Sequence, residues 1–238
     1  MQKHSLSQTN VAQALHDELD EVQQQLSTAV DELYSPLSDL VRSQLRQAAP
    51  LARAAVVLTA GVGAPDTIDL REKRILLASA LEMLYVALHI HRRLLTTVPA
   101  TDGDTPDKSL LGSIILAGDY CFSRAATLAA RTNSPAVVMI FATALKTVNE
   151  GHLRQYFTKE VVFFDENQKL FEAGARAAAT LADLPPATID VLAGFGATLA
   201  NPTAPIQSAV LALAQLTSTQ KAHWVALQEW LSALTNKG

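Results

Sequence analysis

Apolar residues at positions 11, 15, 19, 22, 26, 30 and 33 recur in steps of three and four, while Asp17, Glu18, Asp20, Glu21 and several glutamines fill the remaining positions. This spacing predicts an amphipathic opening helix over residues 10–33, with those acids on its solvent face. Ser35-Pro36 supplies a cap and first-turn pair for a second helix over 37–47. Residues 51–60 are almost wholly apolar and predict a buried third helix, ended by GVGAPDTID. A long helix over 70–95 begins with Arg71, Glu72, Lys73 and Arg74, continues through ILLASALEMLYVALHI and gives way to TTVPATDGDTPDK, which reads as a surface loop. A helix over 109–131 follows, and Asn133-Ser134-Pro135 restarts another that runs to 156. Further helices are predicted at 166–181, 186–199, 204–216 and 219–234, the last with Trp224, Leu227, Trp230, Leu231 and Leu234 on one side. The pattern holds no internal repeat, and it predicts an all-α protein of about ten helices in one domain over 1–238.

Composition narrows the function classes. Of 238 residues, 49% are hydrophobic, 18% charged and 5% aromatic, with only ten Gly and ten Pro, which excludes a disordered chain and nearly excludes an all-β one. A net charge of -4 leaves no basic excess to neutralise phosphates, so nucleic-acid binding is not expected. The single cysteine, Cys121, reads as a small core residue and suits a reducing compartment, so a cytoplasmic location is expected. The N-terminus turns acidic where an export signal needs an apolar core. The longest uncharged stretch, 191–220, is broken by Asn201, Pro202 and Pro205 and reads as two buried helices joined by a loop, so no membrane span is expected.

Motifs for metal, nucleotide and nucleophile chemistry are missing. The six histidines are scattered, and the only close pair, His89 and His91, would point about 200° apart on a helix and could not grip one ion. There is no GxGxxG, GxxxxGK[ST], HExxH or G-x-S-x-G, and Gly61-Val62-Gly63 reads as a helix-ending turn.

Four segments in order carry a resemblance. LLGSIILAGDYCFSRAATLAA at 110–130 resembles the "FGNALAILAGDYLLARA" helix of the trans-prenyl diphosphate synthases, and ALEMLYVALHIHRRLLT at 80–96 resembles their "E-x-I-H-x-x-S-L-I-H-D-D-x-x-D" helix. ATALKTVNEGHLRQY at 142–156 is similar to the segment carrying "EGE-x-x-Q", and 170–200 is similar to "LFAAACELGALLAG…LREFGENLG". The resemblance implies an isoprenoid-synthase helical bundle. That family ionises an allylic diphosphate with magnesium ions held by two aspartate-rich clusters.

In this register both clusters are absent. Arg92, Arg93 and Thr96 stand where the first aspartates should be, and no acid occurs from 191 through 220 where the second should lie. The Gly-Lys-x-x-Arg signature keeps only Arg53, the histidine position is Tyr85, and the family's lysine falls at about Glu166. Losing charge neutralisation of the leaving group forfeits what is usually the largest catalytic term. The chain most resembles the small, aspartate-poor subunit of two-component hexaprenyl or heptaprenyl diphosphate synthases. The resemblance implies no catalytic residue and no cofactor bound by this chain, with Mg2+ in a catalytic large subunit as partner, and a homodimer when the chain is alone.

Arg53, Arg92 and Arg93 are then candidate contacts for a prenyl diphosphate, although a basic pair near a helix C-terminus is commonly just solvated. Asp119 and Tyr120 fall in an apolar run, where a buried Asp needs a partner and would pin two helices or an interface. Phe122 and Leu128 are candidate outward interface positions, and Glu150 belongs with Asn149, His152 and Arg154 to a polar, helix-exposed patch. A divergent prenyltransferase and a prenyl-lipid-binding protein are the alternatives.

Overall fold

The stripe of the opening segment folds as α1, Gln8–Asp31, with Val11, Leu15, Leu19, Val22, Leu26 and Val30 all buried. The computed structural model describes residues 8–48, 51–63, 65–97, 108–157, 164–200 and 216–235, and these form nine helices and no strand. The remaining eight are α2 (Leu37–Ala48), α3 (Ala52–Ala60), α4 (Ile68–Thr97), α5 (Lys108–Ala130), α6 (Pro135–Phe157), α7 (Glu166–Leu181), α8 (Pro186–Leu199) and α9 (Ser218–Thr235). The helix predicted at 204–216 and the loop after α4 lie, but for their end residues, outside the described residues.

α3 and α4 form the centre. Every residue of α3 from Arg53 to Ala60 is buried, and α3 packs against α1, α4, α7 and α9. α4 in turn touches α1, α2, α5 and α7, with Leu77, Leu81, Met83 and Leu84 wholly enclosed. One continuous apolar core joins these helices to Leu170 of α7, Leu192 of α8 and Trp224 of α9. Trp224 meets Phe195 with ring centroids 4.8 Å apart. α4 is also, among the described residues, the one helix long and apolar enough to cross a membrane, and 78% of its apolar window is buried inside the protein. That burial marks it as the core helix.

Helix ends follow local chemistry. Asn133 takes a left-handed conformation (φ 55°) to close α5, and the Ser134 hydroxyl then accepts from the Val137 N–H as Pro135 opens α6. At α2 the expected cap differs: Ser35 Oγ donates to the Asp39 carboxylate at 2.8 Å, where a capping hydroxyl would accept from a backbone N–H. A second departure is Glu18, expected on the solvent face of α1. It is buried because Arg74, itself only 3% exposed, reaches across from α4 to ion-pair with it, and Arg71 joins at 3.2 Å.

α7 and α8 approach closely at Gly196, where a β-carbon would sit 2.7 Å from Ala175 Cβ and 2.9 Å from the Phe171 carbonyl oxygen. Neither neighbour is the end of a flexible side chain, so Gly196→Ala is expected to destabilise by about 1–3 kcal/mol. Gly194 is exposed on the same helix with open space around it. Gly194→Ala should therefore stabilise by about 0.4–1 kcal/mol. Urea denaturation of both variants checks the opposite signs.

Candidate functional site

The polar residues of α4 are placed by its period. Glu82, Tyr85, His89 and Arg92 follow one another at steps of three, four and three, which puts them on one face of an otherwise apolar helix. That face looks toward α3, α6 and the start of α7. At its inner end Glu82 has no exposure, and its carboxylate accepts from Arg53 Nε at 3.1 Å, Arg53 Nη2 at 2.8 Å and the Ala54 backbone N–H at 2.9 Å. Arg53 Nη1 also donates to Asn167 Oδ1 at 3.2 Å, and its guanidinium lies over the Tyr85 ring, 3.4 Å from the centroid. The Tyr85 hydroxyl is 3.1 Å from His89 Nε2. Burial raises the pKa of that phenol, with Arg53 opposing it.

At the outer end the stripe meets Glu166, the first residue of α7 and only 7% exposed in its side chain. Arg92 pairs with Glu166 Oε2, and His152 Nε2 of α6 lies 2.9 Å from the same oxygen. His89 Nδ1 is 3.7 Å from Oε1, too far for a hydrogen bond, and both of those atoms are buried without a partner. Burial, with the cations Arg92 and Arg53 and the nearby His152, holds the His89 imidazole down to about 4. Phe164 stands edge-on to His152 at 5.6 Å, and Asp165 turns its carboxylate onto the Gln168 N–H at 3.0 Å as the α7 cap. These residues line an open cleft of about 470 Å³.

The structure brings Arg53 and Arg92 into one polar chain but gives them roles other than free diphosphate contacts. Arg53 is buried and committed to Glu82; Arg92 is matched by Glu166. Arg93 is exposed and does not line the cleft. Asp119 is 66% exposed in its side chain, not buried, and meets His91 Nε2 at 3.3 Å across the surface. Tyr120 does pin two helices, its hydroxyl donating to the Ala29 carbonyl of α1. Leu128 is corrected from outward to inward: α5 turns Ile114, Ala117, Cys121, Ala125 and Leu128 to the core and leaves Phe122 at the surface. Burial pushes the Cys121 thiol up to about 12, an inert core position. Glu150 is exposed beside Lys146 at 3.6 Å, whereas His152 leaves the expected surface patch for the cleft.

Sequence reasoning missed Glu166 and His152 as partners of the stripe, because neither is near α4 in the chain. The i, i+3, i+4 run of Glu82, Tyr85, His89 and Arg92 was the available signal.

A magnesium site does not fit here. Hard divalent cations need converging carboxylate oxygens, and the one buried carboxylate in the cleft already faces Arg92 and His152. Among the described residues no group of three His, Cys, Asp or Glu side chains is arranged to hold a metal ion.

No protein-family model matches the sequence, and no curated protein sequence matches it. Solved structures do. The small subunit of geranyl diphosphate synthase from Antirrhinum majus superposes with a TM-score of 0.69 at 15% identity, covering 92% of this chain and 98% of that one. A decaprenyl diphosphate synthase from Rhodobacter capsulatus gives 0.63 at 19% identity over 95% and 86%. A geranylgeranyl pyrophosphate synthase from Lactobacillus brevis gives 0.65 at 19% identity, covering 79% of this chain but only 61% of that one. The all-helical fold is thus that of the prenyl diphosphate synthases.

Replacing Glu82 by Gln removes the carboxylate that pairs with the buried Arg53, and the expected loss is about 3–5 kcal/mol in urea unfolding. His89 predicts a pH effect. The unfolded imidazole takes its proton near 6.5, the native one only at about 4, so between these values the unfolded state binds more protons. The contribution of His89 is full above pH 6.5 and is lost as pH falls toward 4. His89→Gln should lose less stability than the wild type between pH 7 and 5.

Proposed function

We propose that this chain is a non-catalytic small subunit of a heteromeric polyprenyl diphosphate synthase, working in isoprenoid synthesis for a quinone side chain. It pairs with a large subunit that carries both aspartate clusters and the Mg2+, and it helps set product length. The observation that carries this reading is the Arg92–Glu166 pair: where the resemblance places the first magnesium-binding aspartates, a cation stands, already neutralised by the protein's own carboxylate. The likeness to a small subunit along nearly that subunit's whole length supports the same reading. We place the protein in the cytoplasm, where the single buried thiol suits a reducing medium.

The partner surface we assign to α5 and the adjoining start of α6. Leu110, Ile115, Leu116 and Phe122 on α5, with Val138 and Met139 on α6, are large apolar side chains left exposed. Large apolar side chains left exposed in such number mark an interaction surface. Alone, the chain pairs with a second copy; with its large subunit it forms a heterodimer burying roughly 2,000 Å² or more. A divergent prenyltransferase or prenyl-lipid binder is less well supported, because the mainly apolar clefts among the described residues, one beside Phe122 and Phe141 and one beside Met139 and Ala173, hold only about 150 and 220 Å³. Small-molecule sites usually run from about 300 Å³ upward.

The purified chain given isopentenyl and farnesyl diphosphates with Mg2+ is expected to form no product, while co-expression with an aspartate-rich large subunit yields long-chain product. Steady turnover by the isolated chain would overturn the reading. So would a wild-type monomer at micromolar concentration that ignores every aspartate-rich synthase offered to it. Phe122→Glu places a charge in the proposed interface and should weaken association at least tenfold in sedimentation.

A further inference from the structure

We propose that the cleft between α4, α6 and the start of α7 is an oxyanion site whose resident anion is the protein's own Glu166. Nitrogen-bearing side chains from two helices converge on this one carboxylate: Arg92 and His89 from α4, His152 from α6. Glu166 is also the first residue of α7, where the helix dipole and its unpaired N–H groups favour negative charge. The carboxylate uses only part of this donor set. Its Oε2 takes Arg92 and His152, while its buried Oε1 and the buried His89 Nδ1 face each other at 3.7 Å with no partner.

The space is also larger than its occupant. The cleft holds about 470 Å³, against roughly 30 Å³ for a water molecule. A phosphate or pyrophosphate fits by volume and finds cationic and N–H donors, but the fixed negative charge of Glu166 repels it and already satisfies Arg92. Among the described residues the two other carboxylates nearby are spoken for: Asp165 caps α7 through Gln168, and Glu82 is held by Arg53. Among those residues Glu166 is therefore the group that closes the site, a plug made of side chain.

Neutralising the plug should open it. Wild type titrated calorimetrically with inorganic pyrophosphate at pH 7 and low salt is expected to show no saturable binding below about 1 mM, the weak end of the affinity scale. Glu166→Gln should gain binding at least tenfold tighter than that, and Glu166→Ala should do the same if glutamine simply replaces the carboxylate on Arg92. Adding Arg92→Gln to either should abolish the gain. Glu172→Gln, which changes net charge equally on the exposed side of α7, should gain nothing. Thermal unfolding checks that each variant folds. Saturable binding to the wild type overturns the proposal without recourse to any variant, and so does a gain in Glu172→Gln equal to that in the Glu166 variants, or a folded Glu166→Ala that gains none. The outcome is independent of the subunit reading, since turnover by the isolated chain would sink that reading and leave the plug to be decided by binding.

Discussion

Glu82 sits on the central helix with no surface open to water, and an ionised carboxylate there is tolerable only if its charge is answered in place. Arg53 answers it with two donors, and the backbone N–H of Ala54 fills the other oxygen. Hydrogen bonds to charged groups are directional, so this arrangement fixes how far α3 can slide or turn against α4. The same guanidinium reaches Asn167 and so ties the start of α7 to the pair. Everything farther out inherits this placement. Tyr85 is held flat beneath the guanidinium, its hydroxyl meets His89, and His89 faces Glu166. The geometry of the open cleft is thus set by an ion pair several turns beneath it.

Periodicity made the helices legible, and long-range pairing made the site illegible. The bounds of α7 and α8 agree with the predicted ones, and those of the other described helices differ by at most two residues at either end. Apolar spacing and Ser, Pro and Asn punctuation are local signals, and helix ends obey them. Glu18 reads as solvent-facing by the same local logic, yet it is buried, because its partner Arg74 lies 56 positions away. Arg53 and Glu82 are separated by 29 positions, Arg92 and Glu166 by 74. Nothing in one stretch of sequence announces such a partner. Leu128 failed for a different reason: in a helix as evenly apolar as α5, hydrophobicity does not reveal which side faces the core, and only the small residues Ala117, Gly118, Cys121 and Ala125 mark the packed face.

Of the residues that carry the resemblance to prenyl synthases, those the chain keeps hold helices together. Gly118 has no side chain because the His91 ring lies against it, and Gly151 makes the same room for Phe164. Tyr120 anchors α5 to the end of α1, where Arg124 and Glu32 add a second tie at 3.1 Å. The two glycine contacts need a particular shape and no particular charge. Two of those that differ line the cleft and carry charge: arginine at 92 where aspartate is expected, glutamate at 166 where lysine is expected. Both changes are reversals of sign, and Arg92 and Glu166 now satisfy each other.

Such a reciprocal pairing keeps the electrostatic balance of the cleft. A cleft built to stabilise a departing diphosphate must present uncompensated positive charge, and that charge is a standing liability to stability until ligand and metal arrive. Pairing Arg92 with Glu166 removes the liability, and Phe164 and His152 then close over the pair without exposing it further. Besides Glu166 Oε1 and His89 Nδ1 in the cleft, the chain leaves large apolar side chains uncovered on α5 and α6. Under the proposed function, the free energy that a catalyst holds ready inside a cleft comes instead from covering these side chains with another protein.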